Sequence, residues 1–269
     1  MRASLFTLAA ILCLAAGTAF AQGLSSDSVT NQTPAPADSS SGSATNAAPA
    51  DAAANTPPPD PHAIDPSIPA MTGPQIVIAS SMGNITLQLD SVRAPKTTAN
   101  VLRYVKLKHY DGTVFYRVVK GALIQMGSWD ARGVGRSGFA AKLPLEVNNG
   151  LSNVRGTVGL ARGEEPDTGG ADFFINVGDE SPLDAAKDVP GNTTGYAVFA
   201  KVIGGMDVVD AINNVTTGGD GPMPGQAPMM PIVINKVTIV PGTDNSPPEP
   251  AAKAAAKAVP VKKSEPRRQ

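Results

Sequence analysis

The chain has 269 residues, a formal net charge of −1, two histidines and one cysteine. The near-zero charge argues against nucleic-acid binding, which calls for a basic face. Cys13 falls in an apolar leader and His62 and His109 are far apart, which disfavours a disulfide, a cysteine- or histidine-held metal, a thiol nucleophile and a Ser-His-Asp triad.

Met1-Arg2 is a short basic start, residues 5–16 are apolar, and Ala19-Phe20-Ala21 is a small-x-small cleavage signal. This predicts a signal peptide over residues 1–21 and a mature protein that is periplasmic or secreted. Residues 22–72 are rich in Ala, Ser, Thr, Asn and Pro, and carry Asp27, Asp38, Asp51, Asp60 and Asp65 but no Lys or Arg. Too few large apolar side chains are present to offset chain entropy, so the stretch reads as a disordered, mildly acidic linker. Pro57-Pro58-Pro59 stiffens it locally. No later run is long and apolar enough to span a bilayer.

An ordered domain is expected over residues 73–242. Ile76-Val77-Ile78-Ala79 and Asn84-Ile85-Thr86-Leu87-Gln88-Leu89 read as strands joined by a turn at Met82-Gly83. Pro95 opens a helix whose apolar side is Val101, Leu102, Val105 and Leu107. Residues 113–127 read as two further strands turning at Lys120-Gly121. Simple alternation puts Phe115, Arg117 and Val119 on one face of the first, and Leu123 and Gln125 on one face of the second. An Arg among apolar neighbours either pairs with a carboxylate, lines a pocket, or lays its stem on the surface.

Residues 128–150 read as a long loop. Gly133-Val134-Gly135-Arg136-Ser137-Gly138 matches a dinucleotide-binding pattern, but residues 139–144 after it end in Pro144 and have no helical period, so a surface loop is the better reading. Strands come next at Gly156-Thr157-Val158-Gly159-Leu160-Ala161, at Phe173-Phe174-Ile175-Asn176-Val177 and at Tyr196-Ala197-Val198-Phe199-Ala200-Lys201-Val202. Residues 206–212 form a short helix and residues 232–240 the last strand. Short strands between glycine-rich turns, with two helices, indicate an all-β barrel or sandwich with capping helices. Residues 243–269 form a low-complexity tail ending in Lys262-Lys263 and Arg267-Arg268, read as solvated.

Several blocks resemble the cyclophilin-type peptidyl-prolyl cis-trans isomerases, especially the exported bacterial group. They are Asp111-Gly112-Thr113-Val114-Phe115-Tyr116-Arg117-Val118-Val119, Ile124-Gln125, Asn153-Val154-Arg155-Gly156-Thr157-Val158-Gly159-Leu160-Ala161-Arg162 and Asp172-Phe173-Phe174-Ile175-Asn176-Val177. Leu183-Asp184, Gly195-Tyr196-Ala197-Val198-Phe199 and Gly205-Met206-Asp207-Val208-Val209-Asp210 continue the series in the family's order. The resemblance implies a closed eight-stranded antiparallel barrel with a helix at each open end. It also implies isomerisation of X-Pro bonds in proline-containing polypeptides, with no cofactor and no metal. A single copy is expected, without a nucleic-acid partner.

By the same resemblance Arg117 is the cation beside the proline nitrogen, and Gln125 supports it. Phe174, Leu123, Ala122 and Leu183 fall at the proline pocket, Tyr196 at its rim, and Ala161, Arg162 and Asp172 along the peptide-binding edge. The chain differs from the family at several of these positions. Ala122-Leu123 stand where Phe-Met is usual, Met126 replaces the second glycine of Gln-Gly-Gly, Asp172 replaces a glutamine, and Pro182 replaces an aromatic. Losing the ring at Ala122 is expected to remove packing worth on the order of a few kcal/mol. An Asp172 within reach of Arg117 would pair with it and weaken its field. The chain therefore reads as an isomerase of reduced rate that assists exported proteins, or as a catalytically weak peptide-binding or chaperone module.

Overall fold

Ile76, Ile78 and Ser80 are buried in β1 (Gln75–Ser80) while Gln75, Val77 and Ala79 are only partly so. The same period of two buries Ile85, Leu87 and Leu89 in β2 (Gly83–Leu89). The two strands form a hairpin with Ile78 opposite Ile85, so both apolar rows face one interior. The computed structural model describes residues 60–138, 142–186 and 194–243. The expected signal peptide, the linker before residue 60 and the tail after residue 243 lie outside the described residues.

Six further strands complete the interior: β3 (Thr113–Val119), β4 (Leu123–Asp130), β5 (Thr157–Leu160), β6 (Phe173–Asn176), β7 (Val198–Gly204) and, as the last strand, β10 (Ile232–Ile239). They close into an antiparallel barrel in the order β1-β10-β3-β4-β6-β5-β7-β2. Closure leaves no unpaired edge. Phe115, Ile124, Phe173 and Phe199 fill the middle, each fully buried. Helix α1 (Pro95–Lys106) buries Val101, Leu102, Tyr104 and Val105, and α2 (Met206–Asn213) buries Met206, Val209 and Ile212. The first N–H groups of α1 find no cap in Ala94. Glu146 supplies it instead, accepting from the amides of Lys96 at 3.1 Å and Thr97 at 2.8 Å.

Four features depart from the sequence reading. Leu107 caps α1 and is 57% exposed, so it is not part of the helix's buried side. A 3-10 turn at Ser181–Leu183 and a small hairpin of β8 (Thr217–Gly219) and β9 (Ala227–Pro228) were not foreseen. The stretch read as one long loop from residue 128 instead begins as strand, since β4 continues to Asp130 and Trp129 pairs with Gly135.

The packed chain also starts before Gly73. Residues 60–72 lie against the barrel although they bring few apolar side chains. The Asp65 amide donates to the Arg155 carbonyl at 3.0 Å, and Arg155 Nε donates to the Ala63 carbonyl at 2.9 Å. His62 Nδ1 meets Asp210 Oδ2 at 2.7 Å, and Arg155 Nη2 donates to that same oxygen at 2.8 Å. Ile64 rests on Gly156, where a Cβ would come within 2.5 Å of it. Polar bonds from Arg155 and Arg93 hold backbone that composition assigns to a linker. Among the described residues, no helix is long and apolar enough to cross a membrane, and no group of three or more His, Cys, Asp or Glu is placed to hold a metal ion.

Candidate active site

The site begins with a fault in the β3–β4 ladder. Phe115 pairs with Met126, but Arg117 pairs with Gln125, so β3 advances two residues while β4 advances one. Such a bulge reverses the alternation beyond it. Phe115 and Val118 both enter the core, whereas simple alternation put Phe115 and Arg117 on one face. The bulge brings Tyr116, Arg117 and Gln125 together outside the barrel.

There Arg117 is held on two edges. Its Nη1 donates to Gln125 Oε1 at 3.1 Å, and its Nε donates to Gln226 Oε1 at 2.6 Å. Gln226 precedes β9, and its own carbonyl accepts from the Val118 amide at 2.8 Å. Gln125 is 7% exposed, and its Nε2 donates to the Tyr116 hydroxyl. Both glutamines present carbonyl oxygens to a group that has only donors.

An apolar wall adjoins this cation. Phe174 lies opposite Gln125 in the β4–β6 ladder, is almost fully buried, and sits outside the core cluster that holds Phe173. Its ring stands edge-on to Tyr196 with centroids 5.6 Å apart. Gly159 of β5 gives it room, since a Cβ there would lie 2.3 Å from Phe174 Cζ. The Tyr196 amide donates to the Leu183 carbonyl at 2.9 Å, which ties those two positions together. Leu123 is buried opposite Asn176. Ala122 is partly buried, and its carbonyl accepts from the amides of Val177 and Gly178 at 2.7 and 3.1 Å.

Along the other side, the Ala161 amide donates to the Asp172 carbonyl at 2.9 Å. The guanidinium of Arg162 lies 5.2 Å from the centre of the Tyr196 ring and its Nε donates to the Gly195 carbonyl at 2.9 Å. Asp172 borders an open groove of about 720 Å³ shared with Trp129, Arg136 and Asp167.

Two of the substituted positions behave in definite ways. Met126 is fully buried in the barrel opposite Phe173, so it does not refill the space beside Ala122. Asp172 does not take Arg117 as its partner, because the arginine's bonds go to the two glutamines. Its Oδ1 instead accepts from the Ser128 amide at 3.0 Å and its Oδ2 from the Ser128 hydroxyl at 2.8 Å. Burial raises the Asp172 carboxyl above its ordinary range, against the lowering effect of the Ser128 and Tyr116 hydrogen bonds. Burial and the Asp172 charge also raise the Tyr116 phenol, which keeps it protonated.

The sequence reading placed Arg117, Gln125, Phe174, Leu123, Ala122, Leu183, Tyr196, Ala161, Arg162 and Asp172 here. Of these, the fold joins Arg117 to Gln125, sets Phe174 opposite Gln125 and against Tyr196, ties Tyr196 to Leu183 and Arg162, and ties Ala161 to Asp172. Sequence reasoning missed Gln226, Ser128 and the role of the Tyr116 hydroxyl. Gln226 sits in a Gly/Pro-rich stretch 109 residues after Arg117, and no local pattern marks it.

An antiparallel closed barrel with a braced surface arginine beside an aromatic wall can now be set beside known proteins. The sequence profile of the family described as "Cyclophilin type peptidyl-prolyl cis-trans isomerase/CLD" matches residues 75–239. Peptidyl-prolyl cis-trans isomerase A of Dickeya dadantii is 38% identical over 178 residues, covering 66% of this chain and 90% of the relative. Peptidyl-prolyl cis-trans isomerase B of Escherichia coli is 38% identical over 167 residues, covering 61% and 98%. The crystal structure of a cyclophilin type isomerase of Cryptosporidium parvum, determined in the presence of the dipeptide ala-pro, aligns with a TM-score of 0.50 at 23% identity, over 62% of this chain and 98% of that one. That likeness shows the shared fold. The chain belongs to the cyclophilin-type peptidyl-prolyl cis-trans isomerase family and is an enzyme of that class.

Proposed function

We propose that the chain isomerises X-Pro bonds of exported polypeptides by binding the twisted amide without a covalent step. Rotation about this bond breaks amide resonance against a barrier of about 18–20 kcal/mol. Only interactions stronger in the twisted state than in either planar state speed the reaction. At the twisted geometry the proline nitrogen regains its lone pair, and a fixed cation beside it stabilises that state. Arg117 is the catalytic residue on this reading. Phe174, Leu123, Leu183 and Ala122 hold the proline ring, Tyr196 closes the rim, and Ala161, Arg162 and Asp172 flank the peptide.

The observation that carries the reading is the bracing of Arg117 by two acceptor amides, at 2.6 and 3.1 Å, next to Phe174 across the ladder from Gln125. A guanidinium held in place needs little reorganisation as charge develops on the substrate. Its Nη2 has no protein partner among the described residues and is the edge left for the peptide. Ala122 supports a reduced rate, since it offers the ring less surface than a phenylalanine would. The apolar leader and cleavage signal of residues 1–21 support a periplasmic or secreted location.

The test is a proline-peptide isomerisation assay on the chain and on Arg117→Ala. A loss of about 100-fold or more in kcat/KM, with an unchanged melting temperature, is expected. An Arg117→Ala variant as fast as the parent would rule the mechanism out. Cell fractionation that leaves the protein in the cytoplasm would rule out the location.

A further inference from the structure

On the reading that Ala122 and Leu123 hold the proline ring, we infer that Asn213 is a positioning residue, which pins the β3–β4 turn that carries both. Asn213 is the last residue of α2 and is only 3% exposed. Met206, Val209 and Ile212 form the buried face of that helix, and helical spacing puts position 213 on the same face. An apolar side chain is the default at such a position. Asn213 instead brings an amide beneath the turn, and the turn uses both ends of it. Its Oδ1 accepts from the Gly121 amide at 2.7 Å, and its Nδ2 donates to the carbonyls of Val119 at 2.9 Å and Leu123 at 3.3 Å. The direction of each bond is fixed, because a backbone N–H only donates and a backbone carbonyl only accepts.

These bonds fall at the end of the ladder that carries the site. Val119 and Leu123 are its last pair, after Arg117–Gln125 and Val118–Ile124. Asn213 adds a cross-link beyond that pair, joining the two strand ends through a side chain of α2. Ala122 is tied from another direction, its carbonyl accepting from the Val177 and Gly178 amides at 2.7 and 3.1 Å. Arg155 connects the two supports. Its Nη1 donates to the Val177 carbonyl at 2.8 Å and to Asp210 Oδ1 at 2.9 Å, and its Nη2 donates to Asp210 Oδ2 at 2.8 Å. Asp210 lies one helical turn before Asn213, so α2 is fixed where it meets the turn. The tip of the turn has little else to hold it. Lys120 and Gly121 are exposed, and Gly121 has a φ of 76°, which only glycine adopts freely. Without the Asn213 amide, Ala122 and Leu123 cease to be a fixed surface for the ring, in the planar and twisted states alike. Arg117 keeps its two glutamine partners. A loss shared equally by ground and transition state raises KM and leaves kcat in place.

The experiment compares the full chain with Asn213→Ala, Asn213→Asp and Leu123→Ala. It measures kcat and KM on a proline-containing peptide, the melting temperature, and hydrogen exchange at the Gly121 amide. Asn213→Ala and Asn213→Asp are each expected to raise KM about tenfold, with kcat within about twofold of the parent. Exchange at Gly121 is expected to quicken at least about tenfold in Asn213→Ala. It stays slow in Asn213→Asp, whose carboxylate still accepts that hydrogen but opposes the carbonyls of Val119 and Leu123. Should Asn213→Ala not fold, Asn213→Asp, of the same shape, carries the test. Should neither fold, Asn213→Ser is expected to show a smaller rise in KM with the same constant kcat. Parental KM in the Asn213 variants, a fall in kcat alone, a lower melting temperature with parental kinetics, or unchanged exchange at Gly121 in Asn213→Ala would each overturn the proposal. A raised KM in Leu123→Ala beside parental KM in the Asn213 variants overturns only this inference. Parental KM in Leu123→Ala overturns the pocket reading and the inference with it.

Discussion

Arg117 donates its Nε hydrogen to Oε1 of Gln226 at 2.6 Å, joining a barrel strand to a loop 109 residues further along the chain. That loop is anchored at the same point, because the Val118 amide donates to the Gln226 carbonyl at 2.8 Å. The backbone bond fixes where Gln226 sits, and the side-chain bond then fixes which way the guanidinium faces. Gln226→Ala should leave the backbone bond and the fold in place while letting Arg117 sample other rotamers. A hydrogen bond to a charged group is worth about 1.5–3 kcal/mol, so kcat/KM should fall roughly 10- to 100-fold. Isomerase assays beside thermal melts check this, and an equal loss in stability would mean that the contact is structural only.

The wall of the site depends on a glycine. Gly159 faces Phe174 so closely that a Cβ would lie 2.3 Å from Cζ and 2.7 Å from Cε2. Gly159→Ala must push the Phe174 ring toward Tyr196 or shift β5. Overpacking of this kind costs about 1–3 kcal/mol. Isomerase activity is expected to drop further than stability does, because the displaced ring is the pocket wall. An alanine variant with parental rate and melting temperature would refute the close packing.

Ala122 is the opposite case, a position with too little side chain. It sits in the β3–β4 turn, partly buried, while Met126 is fully buried in the core opposite Phe173. Ala122→Phe is expected to raise kcat/KM several-fold by giving the proline ring more surface, each buried methylene contributing about 0.8 kcal/mol. A titration of rate against peptide concentration measures it, and no change would show that the ring does not pass over this residue.

The segment before β1 is held by charge, which makes its contribution depend on pH. Burial pushes the Asp210 carboxyl up, but hydrogen bonds from Arg155 and His62 outweigh this and hold it below its ordinary value of 3.8. A carboxyl with a depressed folded-state pKa stabilises the fold above its unfolded pKa. That stability is lost as pH falls through the folded value. Asp210→Asn should therefore destabilise the protein at neutral pH by about 1–3 kcal/mol, the scale of a charged hydrogen bond. The gap to the parent should close in strong acid, where both chains carry a neutral group. Melting curves at neutral and acid pH decide, and a gap that stays constant would mean that charge is not what holds the segment.

Much of the barrel was legible in the sequence because its signals are local. Ile85, Leu87 and Leu89 alternate with polar residues, and Val101, Leu102 and Val105 recur at helical spacing, so each element's buried side can be read from its neighbours in the chain. Arg117 and Gln125 stood out as polar groups among apolar neighbours, but their roles and that of Phe174 were legible only through the resemblance of their blocks to the family. Alternation also foretold that Met126 points away from Gln125. Features that depend on contacts distant in sequence were decided only by tertiary structure. The bulge at Tyr116 turned Arg117 out of line with Phe115, because a one-residue slip between strands is a property of the pair and not of either strand alone. Gln226 reached Arg117, Ser128 claimed Asp172, and Arg155 drew residues 61–65 onto the barrel. Polar side chains acquire direction only when the fold gives each donor its acceptor.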